Sequence, residues 1–463
     1  MRSADLPAPT QTPDRTGRDR RAGSRDLAAG NQPGAWRALP ILVVLYALSL
    51  LDRQVLSLMV GPIKRDLGIS DFQIGLLQGL VFALFYSVAS VPIGWLVDRF
   101  PRRPIVWCGV TIWGICAASC GLAQTFGQLL VARLGVGAGE AALAPAAYSM
   151  LADLFQPSRL AFALSVLLVG STLGNGLAVG LGGAIVSFAE AGHVHSLPFL
   201  GEVASWQYVF IVTGLPGLVL GLLIFLLREP KRRDRLHATH PPLSATFRFI
   251  AERRGFFACH FIGFGLLAIV GWGFTSWLPV YMIRSFGWTI GQVTLPLALI
   301  LGLGGSVGVL ASGWLVDRLF GAGRADAHLR VYAAVAVLIT VTGLAAFQVR
   351  DPVIFLWLAV PIAAAIPLGA TAAAALQIVT PNEMRGQIGA MFLLVSNGLG
   401  LGLGPTLVGG LTDFVFRDEA KLGSSLTLMF AVLGPASAIL LALGFRSMRQ
   451  AVQLAEAWRS PTG

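Results

Sequence analysis

Charge is scarce in this chain. Only 12% of its residues are Asp, Glu, Lys or Arg, and 55% are hydrophobic, where soluble domains carry roughly 25% charged residues. That scarcity excludes an ordinary soluble protein of 463 residues. Short segments of alternating polarity are also missing, which excludes an outer-membrane barrel. Cysteine is sparse too: Cys108, Cys116, Cys120 and Cys259 all lie in or beside apolar runs. Cys116 and Cys120 have helical i,i+4 spacing, but no His or carboxylate lies near them to complete a metal site. The six histidines form no ligand cluster. No Ser-His pairing and no nucleotide loop is present, so no enzyme, metal or cofactor is expected.

What the chain does hold is a series of apolar runs, each long enough for a helix to cross a bilayer. They fall at roughly 38–60, 72–97, 104–124, 127–151, 159–187 and 206–227, then at 256–284, 288–316, 329–348, 352–376, 385–412 and 424–446. The fold class is therefore an all-α polytopic membrane protein of twelve transmembrane helices. Residues 1–37 read as a disordered N-terminal tail rather than a cleavable signal, because no apolar h-region precedes Trp36. Residues 38–227 form a first six-helix bundle, 228–255 an Arg-rich linker, 256–446 a second bundle and 447–463 a C-terminal tail.

The net charge of +11 could suggest a nucleic-acid partner. Its distribution argues otherwise. With the N-terminus inside, 26 of the 34 Lys and Arg fall in inner segments, six in outer ones and two in spans. This is the positive-inside bias, and it predicts a cell (inner) membrane protein with both termini cytoplasmic and no nucleic acid bound.

The two halves repeat in parallel orientation. Gly94-Trp95-Leu96-Val97-Asp98-Arg99 recurs as Gly313-Trp314-Leu315-Val316-Asp317-Arg318, six identities at an offset of 219. Arg159 and Arg385 open a second pair of matching spans, and both spans turn glycine-rich. Such duplication is the internal symmetry of one large class of secondary transporters.

Against this symmetry the charges inside spans are one-sided. Asp52, Arg53, Arg133 and Glu140 all lie in the first half, and the repeat sets Gly271 and Trp272 opposite the first two. Each intramembrane charge costs at least roughly 2.5–3.5 kcal/mol unless it faces a protein interior or a wet cavity. A rise of about 1.5 Å per residue sets Asp52 and Arg133 each roughly 9 Å from the outer boundary. Glu140 lies about 10 Å deeper, on nearly the same face as Arg133. Sequence neighbours point about 100° apart on a helix, so Asp52 or Arg53 is expected to pair with span 4. Protonation of Asp52 or Glu140 would then free an arginine and switch the favoured state of the cavity. The alternative is a static ion-pair network that specifies helix packing.

The stretch Gly94 to Arg103 resembles the cytoplasmic loop signature of the major facilitator superfamily, through Gly94, Asp98, Arg99, Arg102 and Arg103, with Gly313, Asp317 and Arg318 as its second copy. The resemblance implies the major facilitator fold, and a charge latch that holds the halves together on the inside. A short solvated basic loop is the competing reading. Asp52-Arg53, with Gly135-Val136-Gly137-Ala138-Gly139-Glu140-Ala141 and Pro145, is similar to the Spinster branch. That branch includes carriers of lysophospholipids and phosphorylated sphingoid lipids. It implies alternating access on a small amphiphilic substrate, coupled to protons, by a monomer among membrane lipids. Arg53 and Arg133 could hold an anionic head group, since guanidinium suits phosphate. An apolar cavity around it is expected from Phe82, Tyr86, Trp272, Trp277, Tyr281 and Met391, with Thr371 and Asn397 as polar groups; plain packing is the alternative for each. A multidrug or organic-anion carrier of the same fold and a non-transporting sensor are the competing functions.

Overall fold

The structure, a computed structural model, describes residues 32, 34–192, 196–197, 201–232 and 242–459. Twelve helical segments are long and apolar enough to cross a membrane. The first six are Ala35–Leu58, Asp71–Arg99, Arg102–Cys120, Phe126–Leu154, Thr172–Glu190 and Ser205–Leu226. The second six are Arg254–Phe286, Ile290–Gly321, Ala327–Ala346, Pro352–Val379, Arg385–Phe416 and Glu419–Glu456. They are spans 1 to 12 below.

Local chemistry sets where the helices start and break. Ser70 and Gln73 form a reciprocal capping box at the start of span 2, satisfying two N–H groups that a helix start leaves orphaned. Span 2 breaks at Gly79 and resumes at Leu80. Span 4 is interrupted after Glu140 and restarts at Leu143. In the second half, wide π-helical turns at Ile300–Gly304, Gly398–Leu403 and Leu411–Phe416 interrupt spans 8 and 11.

Within the first half, span 1 packs on span 5, and span 3 on spans 4 and 6. Span 7 packs on spans 11 and 12 in the second half, and span 9 on spans 10 and 12. The halves meet where span 5 lies along span 8 and span 2 along span 11. Glycine permits both approaches. A Cβ at Gly75 would stand 2.6 Å from Pro405 O, and one at Gly176 would stand 2.6 Å from Ala298 O.

Two segments depart from expectation. The linker contains a helix, Leu243–Glu252, anchored by Phe249 and by a Thr246 hydroxyl bonded to Gln387. The final helix does not stop near 446 but runs from Leu422 to Arg459. Met448, Ala451, Val452 and Ala455 are buried along it, and Arg449 reaches Asp326 at 2.6 Å. The expected N-terminal tail lies outside the described residues up to Gln32. Gln32 donates to Lys231 O at 2.7 Å, so the first described residue and the linker share one end of the bundle, the linker end.

Candidate functional site

Span 1 carries Ser49, Arg53 and Ser57 at four-residue steps, which places them along one face. Asp52 points elsewhere, and the neighbours are drawn to different partners on span 4. Arg133 donates to Asp52 Oδ2 at 2.7 Å, and both side chains are almost fully buried. Arg53 forms an ion pair with Glu140 Oε2, its Nε 3.1 Å away, and the Ser49 hydroxyl donates to the same oxygen at 3.0 Å. The result is a pair of crossed ion pairs between spans 1 and 4. Charge-assisted hydrogen bonds of this kind are about twice as strong as neutral ones.

The fully buried Phe82 stands beside both cations. Its ring centre is 4.5 Å from the Arg53 guanidinium and 5.8 Å from that of Arg133, within the range of cation–π attraction. Tyr86 stacks on Phe82 at 5.9 Å. Asp52 Oδ1, Glu140 Oε1 and Arg133 Nε have no hydrogen-bond partner, so each carboxylate keeps one free oxygen. Arg53 is the accessible member, with 19% of its side chain exposed against 2% for Glu140.

Beyond Arg53 the two halves enclose a cavity of ≈ 20 Å³, room for about one water. Gln54, Ser57, Gln78 and Arg133 line its first-half wall, and Trp272, Thr275 and Ser276 the other. Gln54 donates to Asn175 Oδ1 at 2.7 Å, and Gln78 to the Ser57 hydroxyl at 3.4 Å. Ser49, Gln54, Ser57 and Gln78 were not picked out from the sequence. The polar four-residue steps on span 1 are the signal that marks two of them.

Several expected lining residues sit elsewhere. Trp277 is fully buried and donates its indole N–H to Pro405 O at 2.9 Å. Tyr281 lies in an aromatic cluster, 4.9 Å from Phe347 and 5.1 Å from Phe355. Thr371 is buried on span 10, whereas Met391 and Asn397 are half-buried on span 11.

At the linker end, Arg102 is 1% exposed and gathers Glu229 at 2.9 Å, the Ser149 hydroxyl at 3.1 Å, Pro230 O at 2.9 Å and the Asp153 carboxylate. Arg103 bonds Glu229 through its backbone N–H at 3.1 Å. Burial alone would raise the Glu229 carboxyl, but the Arg102 and Arg103 donors hold it below its usual range. Asp98 offers its backbone oxygen to Arg232. Arg99 and Arg318 lie over Trp95 and Trp314 at 4.1 and 5.3 Å. A Cβ at Gly94 or Gly313 would meet nothing within 4 Å.

Among the described residues, the ion pairs that join the halves are all at the opposite end. Asp71, fully buried, takes Arg284 at 2.7 and 2.8 Å and Lys64 at 2.5 Å. Lys64 also reaches Glu419 at 2.7 Å, and Asp413 accepts the Phe72 N–H at 2.6 Å. These contacts seal the bundle at the far end.

Residues 42–405 match the Major Facilitator Superfamily. The chain is 28% identical over 410 residues to an MFS-type efflux pump of Mycolicibacterium smegmatis, covering 88% of this chain and 91% of that one. It is 29% identical over 267 residues to human protein spinster homolog 1, covering 55% of this chain and 47% of that one. With a mouse sphingosine-1-phosphate transporter it shares 27% identity over 245 residues, 51% of this chain and 42% of that one. The chain thus spans about half the length of these spinster-type relatives. Among solved structures it is similar to a bacterial homologue of the human lysosomal transporter Spinster, inward-facing and unoccupied. The TM-score is 0.75 at 24% identity, covering 94% of this chain and all of that one. An occupied inward-facing form gives 0.71 at 25% identity, covering 92% and 98%. The twelve helices, the two halves and these matches agree: the chain is a multi-pass membrane transporter of the Major Facilitator Superfamily, with Spinster-like relatives.

Proposed function

We propose that this transporter moves an amphiphilic anion, lysophospholipid- or sphingolipid-like, by alternating access, and that Asp52 and Glu140 couple the movement to protons. The observation that carries the reading is the crossed pairing of Asp52 with Arg133 and of Glu140 with Arg53, with Arg53 the most accessible of the four at the interface between the halves. A proton on Glu140 leaves the Arg53 guanidinium without its counter-ion. That guanidinium then suits a phosphate head group, while the apolar chain lies along Phe82, Tyr86 and Trp272. Release of the substrate restores the pair and expels the proton, which links lipid movement to proton movement. Gly94, Asp98 and Arg99, with Gly313, Asp317 and Arg318, latch the linker end when it closes. The basic linker end faces the cytoplasm of the cell (inner) membrane, and the working unit is a monomer.

The test uses proteoliposomes with a fluorescent lysophospholipid and an internal pH dye. Lipid movement driven by an imposed pH gradient is expected, with substrate-linked proton flux lost in Asp52→Asn and Glu140→Gln. Parental proton flux in both variants, with lipid transport intact, removes the carboxylates from coupling. A second reading, proton-driven efflux of drugs or organic anions, is favoured by the mycobacterial relative, whose match spans 88% of this chain. Thermal stabilisation by such compounds and by no lysolipid would select it.

A further inference from the structure

A second cationic site lies at the linker end of the first half, away from the crossed ion pairs. Arg37, in the first turn of span 1, and Arg228, just past span 6, line one cavity of ≈ 350 Å³, within the range of small-ligand sites. Among the described residues its remaining walls are Gly34, Ala38 and leucines, with no acidic residue. Both arginines are exposed, and neither belongs to an ion pair among the described residues. Glu229, next to Arg228, and Asp153, next to the lining Leu154, are both committed to Arg102. Span 1 begins here with no acidic residue in its first turn and no side-chain cap, so the positive end of a 24-residue helix adds to the field.

The surroundings are those of a lipid rather than of water alone. Leu226, a wall of the cavity, is 73% exposed, and Leu222 beside it is 52% exposed. Trp36, 47% exposed, packs edge-on against Phe155 at 5.0 Å, the placement favoured for aromatics at a membrane surface. Two guanidiniums without an ion pair among the described residues, above an apolar surface, match one chemistry, a phosphate carried on an acyl chain. We propose that this cavity binds the phosphate group of a phospholipid from the leaflet at the linker end, with Arg37 and Arg228 as its ligands and the acyl chain along Leu222 and Leu226. A soluble phosphate ester shares the head-group chemistry.

The experiment uses the full chain in detergent and native mass spectrometry. Phosphatidylglycerol is titrated, with glycerol 3-phosphate as the soluble arm. Arg37→Ala with Arg228→Ala is expected to weaken phosphatidylglycerol binding by about tenfold or more per arginine, the scale of a lost charge-assisted contact. Arg350→Ala with Lys421→Ala removes the same charge from exposed positions at the far end and is expected to leave binding within about twofold, as separate sites behave independently. Glycerol 3-phosphate binding as tightly, with the same loss in the double variant, supports the site and assigns it to a soluble ligand. Parental affinity in the Arg37/Arg228 variant, or equal loss in the far-end variant, overturns the proposal. Should the double variant fail to fold, photo-crosslinking of the parent protein with a head-group-labelled phosphatidylglycerol decides: adducts on the peptides holding Arg37 or Arg228 support it, and adducts confined to other peptides refute it.

Discussion

Asp71 is the residue whose loss should most directly unseal the far end. Its carboxylate, 0% exposed, ties span 2 of one half to Arg284 on span 7 of the other, and also holds Lys64. Asp71→Asn keeps the shape and one acceptor oxygen but removes the charge that three N–H groups share. A hydrogen bond to a charged group contributes about 1.5–3 kcal/mol. Glu419 stays near both cations, at 2.7 and 3.4 Å, and offsets part of the loss. A net change of about 2 kcal/mol, or roughly 30-fold in the ratio of closed to open far end, follows. The assay is labelling by a membrane-impermeant maleimide added on the far side, with one cysteine at Ser276 and the four native cysteines replaced. Labelling should accelerate by about 30-fold in Asp71→Asn, but by less than about threefold in Glu419→Gln, because Glu419 is 60% exposed and solvent-exposed pairs contribute little. Parental labelling in a folded Asp71→Asn protein, or an equal effect of Glu419→Gln, would refute the reasoning.

Gly176→Val drives side-chain atoms into the Ala298 backbone across the seam between halves, so the same maleimide assay should show faster labelling and transport should fall. Glu229→Gln tests the linker-end cluster by pH. The folded carboxyl lies below its ordinary 4.5 because the Arg102 and Arg103 donors outweigh burial, so its stabilisation is complete above pH 4.5 and fades as pH falls through the lowered value. Thermal melts should therefore place Glu229→Gln below the parent at pH 7 and close to it once the parent carboxyl is protonated. Trp277→Phe loses the indole bond to Pro405 O, which should destabilise the protein by about 1–2 kcal/mol, read as a lower melting temperature, with substrate KM unchanged because the indole does not line the interface cavity.

The helices were legible because a membrane span needs an unbroken apolar run, and twelve such runs stand in the sequence. Their ends were less so. The last helix continues past 446 on a stripe of Met448, Ala451, Val452 and Ala455, which bury against protein rather than lipid and so leave no long apolar run. The linker helix is concealed for the same reason. Its seat is made by Thr246 and Phe249 with Ile250 packed beside them, while Leu243 and Phe247 are exposed, in a stretch far too short to span a membrane. The four buried charges could be found because they interrupt apolar runs, but not their partners. Helix arithmetic brings Asp52 and Arg53 to span 4 without deciding which arginine meets which acid. The far-end seal was out of reach. Asp71 and Arg284 are 213 residues apart, and each stands beside a polar loop where a charge is unremarked.

The asymmetry between the halves extends beyond charge. The first half carries the crossed ion pairs, and no π-helical turn interrupts its described spans. The second half carries no acid within its span interiors, yet three such turns interrupt spans 8 and 11. All three lie against the first half, the third through Asp413, which accepts the Phe72 N–H of span 2. Gly302 faces Gly176 of span 5, and Leu401 and Gly402 face Gly79 of span 2. A π turn widens the helix and departs from its regular hydrogen-bond ladder, a device that recurs at functional positions, and glycine there presents no side chain to obstruct a shift in the contact. An ion pair, by contrast, holds its geometry only while both helices stay in register, and loses most of its value if either moves by an ångström or two. The two requirements conflict within one element, and the duplicated fold separates them. Spans 1 and 4 keep the charges at fixed distances, while spans 8 and 11 supply the surface over which the halves can rock. Under the proposed function, a proton gained or lost in the first half would then alter the seam without unpacking the helices that hold the carboxylates.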